Sequence, residues 1–126
     1  MVTEFLHFDN VTICTMRSDT TGQTFVGMAK CAPEDEDKYN ERTGENIAEA
    51  RAAIELLRSC RASLIDTIAT QEHLMGCMEQ SNSFNPKCNE FRLLRRNYHD
   101  NIDILAEIRN QIVQEQRALD YYIGRI

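Results

Sequence analysis

Residues 47–78, IAEARAAIELLRSCRASLIDTIATQEHLMGCM, carry the strongest structural signal in the chain, because apolar side chains recur along them with a seven-residue period. Heptads with an apolar first and fourth position are typical of helices that pack lengthwise against another helix. Eight of the ten such positions are apolar; we call these ten the first seam. They are Ile47, Ala50, Ile54, Leu57, Arg61, Leu64, Ile68, Gln71, Met75 and Met78. The pattern predicts a long helix over residues 43–80.

A second helix is predicted over residues 87–122, after a polar loop at residues 81–86 (SNSFNP). Its seam positions are again apolar in eight cases of ten. This second seam comprises Phe91, Leu94, Tyr98, Asn101, Leu105, Ile108, Ile112, Glu115, Leu119 and Tyr122. Each helix would be about 50 Å long at 1.5 Å per residue. A helical hairpin of that length leaves apolar flanks uncovered, so we expect a homo-oligomer.

Residues 1–32 are predicted to form a small antiparallel β-meander. Three stretches rich in β-branched and aromatic residues, TEFLHF, VTICTMR and TFVGMAKC, are separated by turn residues at 9–10 and 18–23. Alternation places Thr12, Cys14 and Met16 on one face of the second strand, and Val11 and Ile13 on the other. The predicted fold class is α+β in a single domain over residues 1–126, with this meander followed by two long antiparallel helices.

Charge and hydropathy exclude several classes of protein. The formal net charge of the 126 residues is −6; residues 1–50 hold ten acidic and four basic residues, whereas residues 51–126 hold ten of each. A net acidic chain is a poor binder of DNA or RNA polymers. No apolar run approaches the roughly 20 residues of a membrane span, and the first ten residues do not resemble a secretory signal. We therefore expect a cytoplasmic protein without a membrane or nucleic-acid partner.

Nothing in the sequence indicates catalysis or a structural metal. The five cysteines are irregularly spaced and form no CxxC pair, so we predict free, buried thiols and no zinc site. The acidic residues 34–37 are most simply a solvated connection, with a divalent-cation site as the alternative. No nucleophile elbow, phosphate-binding glycine loop or metalloprotease motif is present.

The arginines of the second helix are the better candidates for a site. Arg92, Arg96 and Arg117 fall within about 40° of one direction at 100° per residue, opposite the seam. They either face solvent, paired with Asp103 and Glu107, or bind an anion. Arg95 and Arg109 lie closer to the seam. Arg61 occupies a seam position, where it either forms an interhelical ion pair, binds an anion or fixes the helix register.

The loop between the helices is the other candidate. Phe84 either caps the end of the seam or offers a face on which a purine stacks. In the second case Asn85 would contact a base or ribose, and Lys87 or Arg92 would hold phosphate near the start of the second helix.

Three stretches together resemble one family: TFVGMAKC-x-P-x-DED (24–37), NERTGENIAEARAAIELL (40–57) and SFNPKCNEFRLLRR (83–96). Over nearly its full length the chain resembles phage Thoeris anti-defence proteins of the first described type. The resemblance implies a sponge rather than an enzyme, without a cofactor, in the cytoplasm of the bacterial host. Such proteins bind cyclic ADP-ribose isomers made by TIR-domain proteins and do not cleave them. Some members also hold cyclic oligonucleotides in separate pockets of a higher oligomer.

The resemblance also implies site residues and an assembly. The residue types that a cyclic ADP-ribose requires are supplied by Phe84, Asn85, Arg92, Arg95, Arg109 and Arg117. A second nucleotide site would involve Met28, Lys30, Arg58 and Lys87. The expected assembly is a dimer or a hexamer.

Two other functions compete with the sponge. The double heptad seam is also typical of a coiled-coil module whose partner is another protein. A small RNA-binding protein would rest on the arginines alone, and the net charge opposes it.

Overall fold

The computed structural model of the protein describes residues 1–31 and 40–124. Three strands come first, β1 (Val2–Phe8), β2 (Val11–Arg17) and β3 (Thr24–Lys30), followed by two helices, α1 (Glu41–Glu79) and α2 (Asn89–Ile123). The strands form one antiparallel sheet in the order β1-β2-β3. The predicted α+β class, with an N-terminal meander before two long helices, is confirmed.

Both helices begin two residues away from their predicted starts, because asparagine side chains set the turns that precede them. The Oδ1 of Asn40 accepts a hydrogen bond from the backbone N–H of Arg42 (2.9 Å), so α1 is capped early and begins at residue 41. The Oδ1 of Asn85 accepts one from the N–H of Lys87 (3.0 Å), and its carbonyl accepts one from Cys88 (3.0 Å). Residues 85–88 therefore form a turn, and α2 begins at residue 89.

The two faces of the sheet differ in burial, a difference that the strand pattern did not predict because neither face is cleanly polar. Thr12, Cys14 and Met16 of the central strand are buried on the inner face. The outer face carries Val11 and Ile13 of β2 and the residues paired with them on the two edge strands. These partners are exposed: Leu6 and Phe8 on β1, and Met28 and Lys30 on β3. Among the described residues, the sheet packs against the helices through its inner face.

The chain divides into two compact units, and each has its own core. The sheet unit comprises Met1–Arg58 with Gln111–Ile126, and the hairpin unit comprises Ser59–Asn110. In the sheet unit, small and aliphatic side chains of α1 pack with the inner face of the sheet and with α2. The buried members of this cluster are Cys14, Met16, Ala29, Ile47, Ala48, Ala50, Ala52, Ile54 and Leu119.

One glycine sets the approach of β3 to α1. A Cβ placed on Gly27 would lie 1.9 Å from the carbonyl oxygen of Ala48 and 2.5 Å from the backbone nitrogen of Ala52. Real Cβ atoms do not approach other atoms so closely, so only glycine fits this position. The strand and the helix are in backbone contact there.

The hairpin unit is held by the two seams. Ile68, Phe91 and Leu105 are buried, and the Nδ2 of Asn101 donates to the Oε1 of Gln71 (3.1 Å). Across the whole chain, all twenty predicted seam positions are buried or half-buried and none is exposed. The heptad interpretation is therefore confirmed at the level of single residues.

The prediction for the cysteines is only partly right. The five cysteines form no disulfide with one another, but only Cys14 and Cys31 are buried; Cys88 is half-buried, and Cys60 and Cys77 are exposed. The difference arises because positions 60 and 77 lie on α1 outside the seam, on sides of the helix that the described part of the chain leaves exposed.

We expect thiol labelling to separate these cysteines. Burial, with a smaller contribution from the charge of Glu49, raises the pKa of Cys14 to about 11. At pH 8 its thiol is therefore protonated as well as inaccessible, and the thiolate is the reactive form. Labelling at pH 8 with a chromogenic disulfide should modify Cys60 and Cys77 quickly and Cys14 only after unfolding. Rapid reaction of Cys14 in the folded protein would contradict the packing of the inner face.

Candidate functional site

A groove of about 550 Å³ lies in the sheet unit, bounded by β3, α1 and α2. This volume falls within the range of small-molecule sites. Buried apolar side chains, Ile54 and Leu119, form part of the wall, and Phe25 adds an aromatic side chain. Polar groups of both helices complete it: Arg51, Glu55, Arg58 and Gln116.

Two guanidinium groups enter this groove from one side of α1, two turns apart. The Nη1 of Arg51 donates to the backbone carbonyl of Met28 (2.6 Å), on the free edge of β3. The Nη1 of Arg58 donates to Glu55 Oε1 (3.1 Å) within the same helix. Exposed i,i+3 pairs of this kind contribute little to stability and exchange partners readily. Both cations therefore keep donors for an anionic ligand.

Of the residues predicted for a second nucleotide site, the structure brings two together. Met28 and Arg58 both line the groove, whereas Lys30 does not and Lys87 belongs to the hairpin unit. Sequence reasoning missed Arg51 and Gln116. For Arg51, the only signal in the sequence was its seven-residue spacing from Arg58 on the same helix. Gln116 had no such signal, because it comes from α2.

Phe84 lies at the closed end of the hairpin and packs against the second seam. Its ring contacts Phe91 edge to face, with centroids 5.0 Å apart and planes at 81°. Phe91 is buried, and Phe84 is half-buried. The packing favours the capping role of Phe84 and leaves part of its ring accessible.

Asn85 serves the turn first. Its Oδ1 accepts a hydrogen bond from the N–H of Lys87, and its backbone carbonyl accepts one from the N–H of Cys88. Of the polar side-chain atoms, only Nδ2 is left to contact a ligand. Lys87 and Arg92, which follow it, are both exposed.

The arginines of α2 face solvent without acidic partners among the described residues. Arg92, Arg95, Arg109 and Arg117 are exposed, and no ion pair joins any of them to a carboxylate within residues 1–31 and 40–124. The expected pairing of the stripe with acidic residues of α2 is therefore not found there. Arg61 is half-buried in the first seam, and it too forms no ion pair in that part of the chain.

Two of these arginines, Arg95 and Arg109, lie at separate points along α2. Arg95 and Arg109 belong to the hairpin unit and are 14 residues apart, which is about 21 Å along a helix. Arg117 belongs to the sheet unit.

A hydroxyl, an imidazole and a carboxylate are aligned beside the sheet, an arrangement that sequence reasoning missed. The Nε2 of His7 lies 2.7 Å from Glu45 Oε1, and its Nδ1 lies 3.3 Å from the Oγ1 of Thr12. Thr12 is completely buried, so its hydroxyl cannot reach a substrate. The three residues join β1 and β2 to the first turns of α1.

The described residues contain neither a cluster of metal-ligating side chains nor a helix able to span a membrane. No group of three potential metal-ligating side chains is present in residues 1–31 and 40–124. The acidic residues 34–37, predicted as a solvated connection or a cation site, lie outside those ranges. Neither α1 nor α2, as far as the structure describes them, has a stretch apolar enough to cross a membrane.

Comparison with protein-family models, with curated proteins and with solved structures found no match to this chain.

Proposed function

We propose that the protein sequesters a cyclic nucleotide signal without cleaving it, as a sponge for TIR-derived cyclic ADP-ribose isomers in the cytoplasm of a phage-infected bacterium. The sequence resemblance supplies the class of ligand. The structural observation that supports nucleotide binding in general is the groove beside β3, where Arg51 and Arg58 stand over an apolar wall. Guanidinium groups suit phosphate, and an apolar wall suits a base.

The groove is the better-formed of the two candidate regions and suits a second, larger ligand. Arg51 and Arg58 could each hold one phosphate of a cyclic oligonucleotide, while Gln116 offers an amide for a base edge. Met28 contributes its backbone carbonyl, on the edge of β3. We assign this groove to the cyclic oligonucleotides that the resemblance implies.

The site for cyclic ADP-ribose needs more than one copy of the chain. Phe84, Asn85 and Arg92 lie near the closed end of the hairpin, whereas Arg109 lies far along α2. A neighbouring copy can supply its own arginines beside Phe84. This is why the proposal includes a homo-oligomer, either a dimer or a hexamer.

Mass spectrometry of released ligand tests the function directly. The protein is incubated with the product of a TIR-domain enzyme, washed and heat-denatured, and the supernatant is analysed. We expect release of an unmodified cyclic ADP-ribose isomer in amounts stoichiometric with the protein. A parallel incubation with a cyclic trinucleotide should give the same result for wild type and Arg96→Ala, and at least tenfold less for Arg58→Ala. Release of a linear product would instead make the protein an enzyme, and release of nothing would refute the sponge.

A protein–protein interaction module is the second candidate. Several large apolar side chains of the helices point away from the seams and are exposed, among them Leu74, Leu93 and Ile104 of the hairpin unit. Exposed apolar residues in this number are typical of docking surfaces. A protein that binds neither nucleotide but captures one host protein through its helices would favour this function.

A further inference from the structure

The outer face of the sheet carries a continuous apolar patch. In the strand register, Leu6, Ile13 and Met28 are paired across the three strands and form one row on this face. Phe8 and Val26 lie in the adjoining rows. The exposed fractions are 59% for Leu6, 69% for Phe8, 54% for Val26 and 52% for Met28. Isolated soluble chains seldom expose so many neighbouring apolar side chains.

Two opposite charges flank this patch symmetrically. Glu4 lies on β1 and is paired with Thr15, two residues after Ile13 on the central strand. Lys30 lies on β3 and is paired with Val11, two residues before Ile13. Neither forms an ion pair with a residue in the described ranges. Consider a twofold axis that runs parallel to the face over Ile13, perpendicular to the line from Glu4 to Lys30. Rotation about this axis exchanges the positions of Glu4 and Lys30.

We propose that a second copy of this chain packs on the outer face of the sheet, related by that twofold axis. Each Glu4 then lies over the partner's Lys30, and the rows through Ile13 meet at the centre. A face with paired opposite charges at exchanged positions is complementary to itself, which is what an isologous dimer requires. The inference specifies a surface for the proposed homo-oligomer and does not depend on the nucleotide.

The spacing of the sheet fixes the angle between the two copies. Strands lie about 4.8 Å apart, and alternate residues along a strand are about 6.7 Å apart. The Glu4–Lys30 line is therefore tilted by roughly 36° from the strands, and the strands of the two sheets cross at roughly 70°, nearer the orthogonal than the aligned class of sheet packing.

Leucine substitutions on two different surfaces test the location. Leu6→Glu places a charge in the patch, and Leu93→Glu is a matched control on α2, where Leu93 is 58% exposed. We expect light scattering to give an oligomer for wild type and for Leu93→Glu, and at least a twofold lower mass for Leu6→Glu. Circular dichroism establishes that each variant is folded.

A charge exchange tests the twofold geometry. Glu4→Lys and Lys30→Glu should each raise the dissociation constant at least threefold, and the double variant should return it to the wild-type value. A monomeric wild type would refute the homo-oligomer, this surface and a cyclic ADP-ribose site shared between copies, whereas binding of a cyclic trinucleotide in the groove of one chain is tested separately. A wild-type oligomer that Leu6→Glu leaves intact, or a double variant weaker than either single one, would overturn the proposed packing.

Discussion

Gly27→Ala is expected to destabilise the protein strongly. The added Cβ would lie 1.9 Å from the carbonyl oxygen of Ala48, and this neighbour is helix backbone, which cannot rotate away as a side chain can. Either β3 moves off α1 or the helix bends, and both separate the inner face of the sheet from the core. We expect a loss of roughly 3 kcal/mol in the free energy of unfolding, measured by urea denaturation.

Gly76→Ala is the matched control. Gly76 lies inside α1, and a Cβ placed there would meet nothing within 4 Å. Alanine in a helix interior is favoured over glycine by about 0.5–1 kcal/mol, so this variant should be slightly more stable than wild type. Equal and small effects at the two positions would show that β3 does not contact the backbone of α1.

The seams and the strand alternation could be predicted from the sequence, because each depends on a period within one element. Seven-residue spacing alone identifies Ile54 and Leu119 as buried, and two-residue alternation places Thr12 and Cys14 on one face of the strand. Such periods persist whatever lies on the other side of the interface.

The contacts between elements were beyond the reach of the sequence. Ala48 and Ala52 lie outside the first seam, and they are completely buried because β3 crosses the helix at Gly27. No periodicity in either element specifies that crossing. The groove is a consequence of the same crossing, since its arginines come from α1, its amide from α2 and its edge from β3. The ring contact between Phe84 and Phe91 likewise depends on how the loop folds back.

The largest effect on ligand binding is expected at Arg109. It is exposed, forms no ion pair in residues 1–31 and 40–124, and lies beside the second seam, where a neighbouring copy or ligand can cover it. Removing an exposed cation that forms no ion pair with the described residues should cost little folding free energy. This separates the role of Arg109 from that of Phe84, whose contact with Phe91 makes any substitution structural as well.

Arg109→Ala should therefore weaken binding of a cyclic ADP-ribose isomer at least tenfold in calorimetry, while the melting temperature stays at its wild-type value. The loss corresponds to roughly 1.5–3 kcal/mol for a hydrogen bond to a charged phosphate. Arg109→Lys should recover only part of the affinity, because an ammonium group cannot reproduce the two parallel donors of a guanidinium. Arg96→Ala, on the opposite side of the same helix, is the control and should bind like wild type. Equal losses at Arg96 and Arg109 would mean that the ligand responds to the overall charge of α2, and a site at Arg109 would then be excluded.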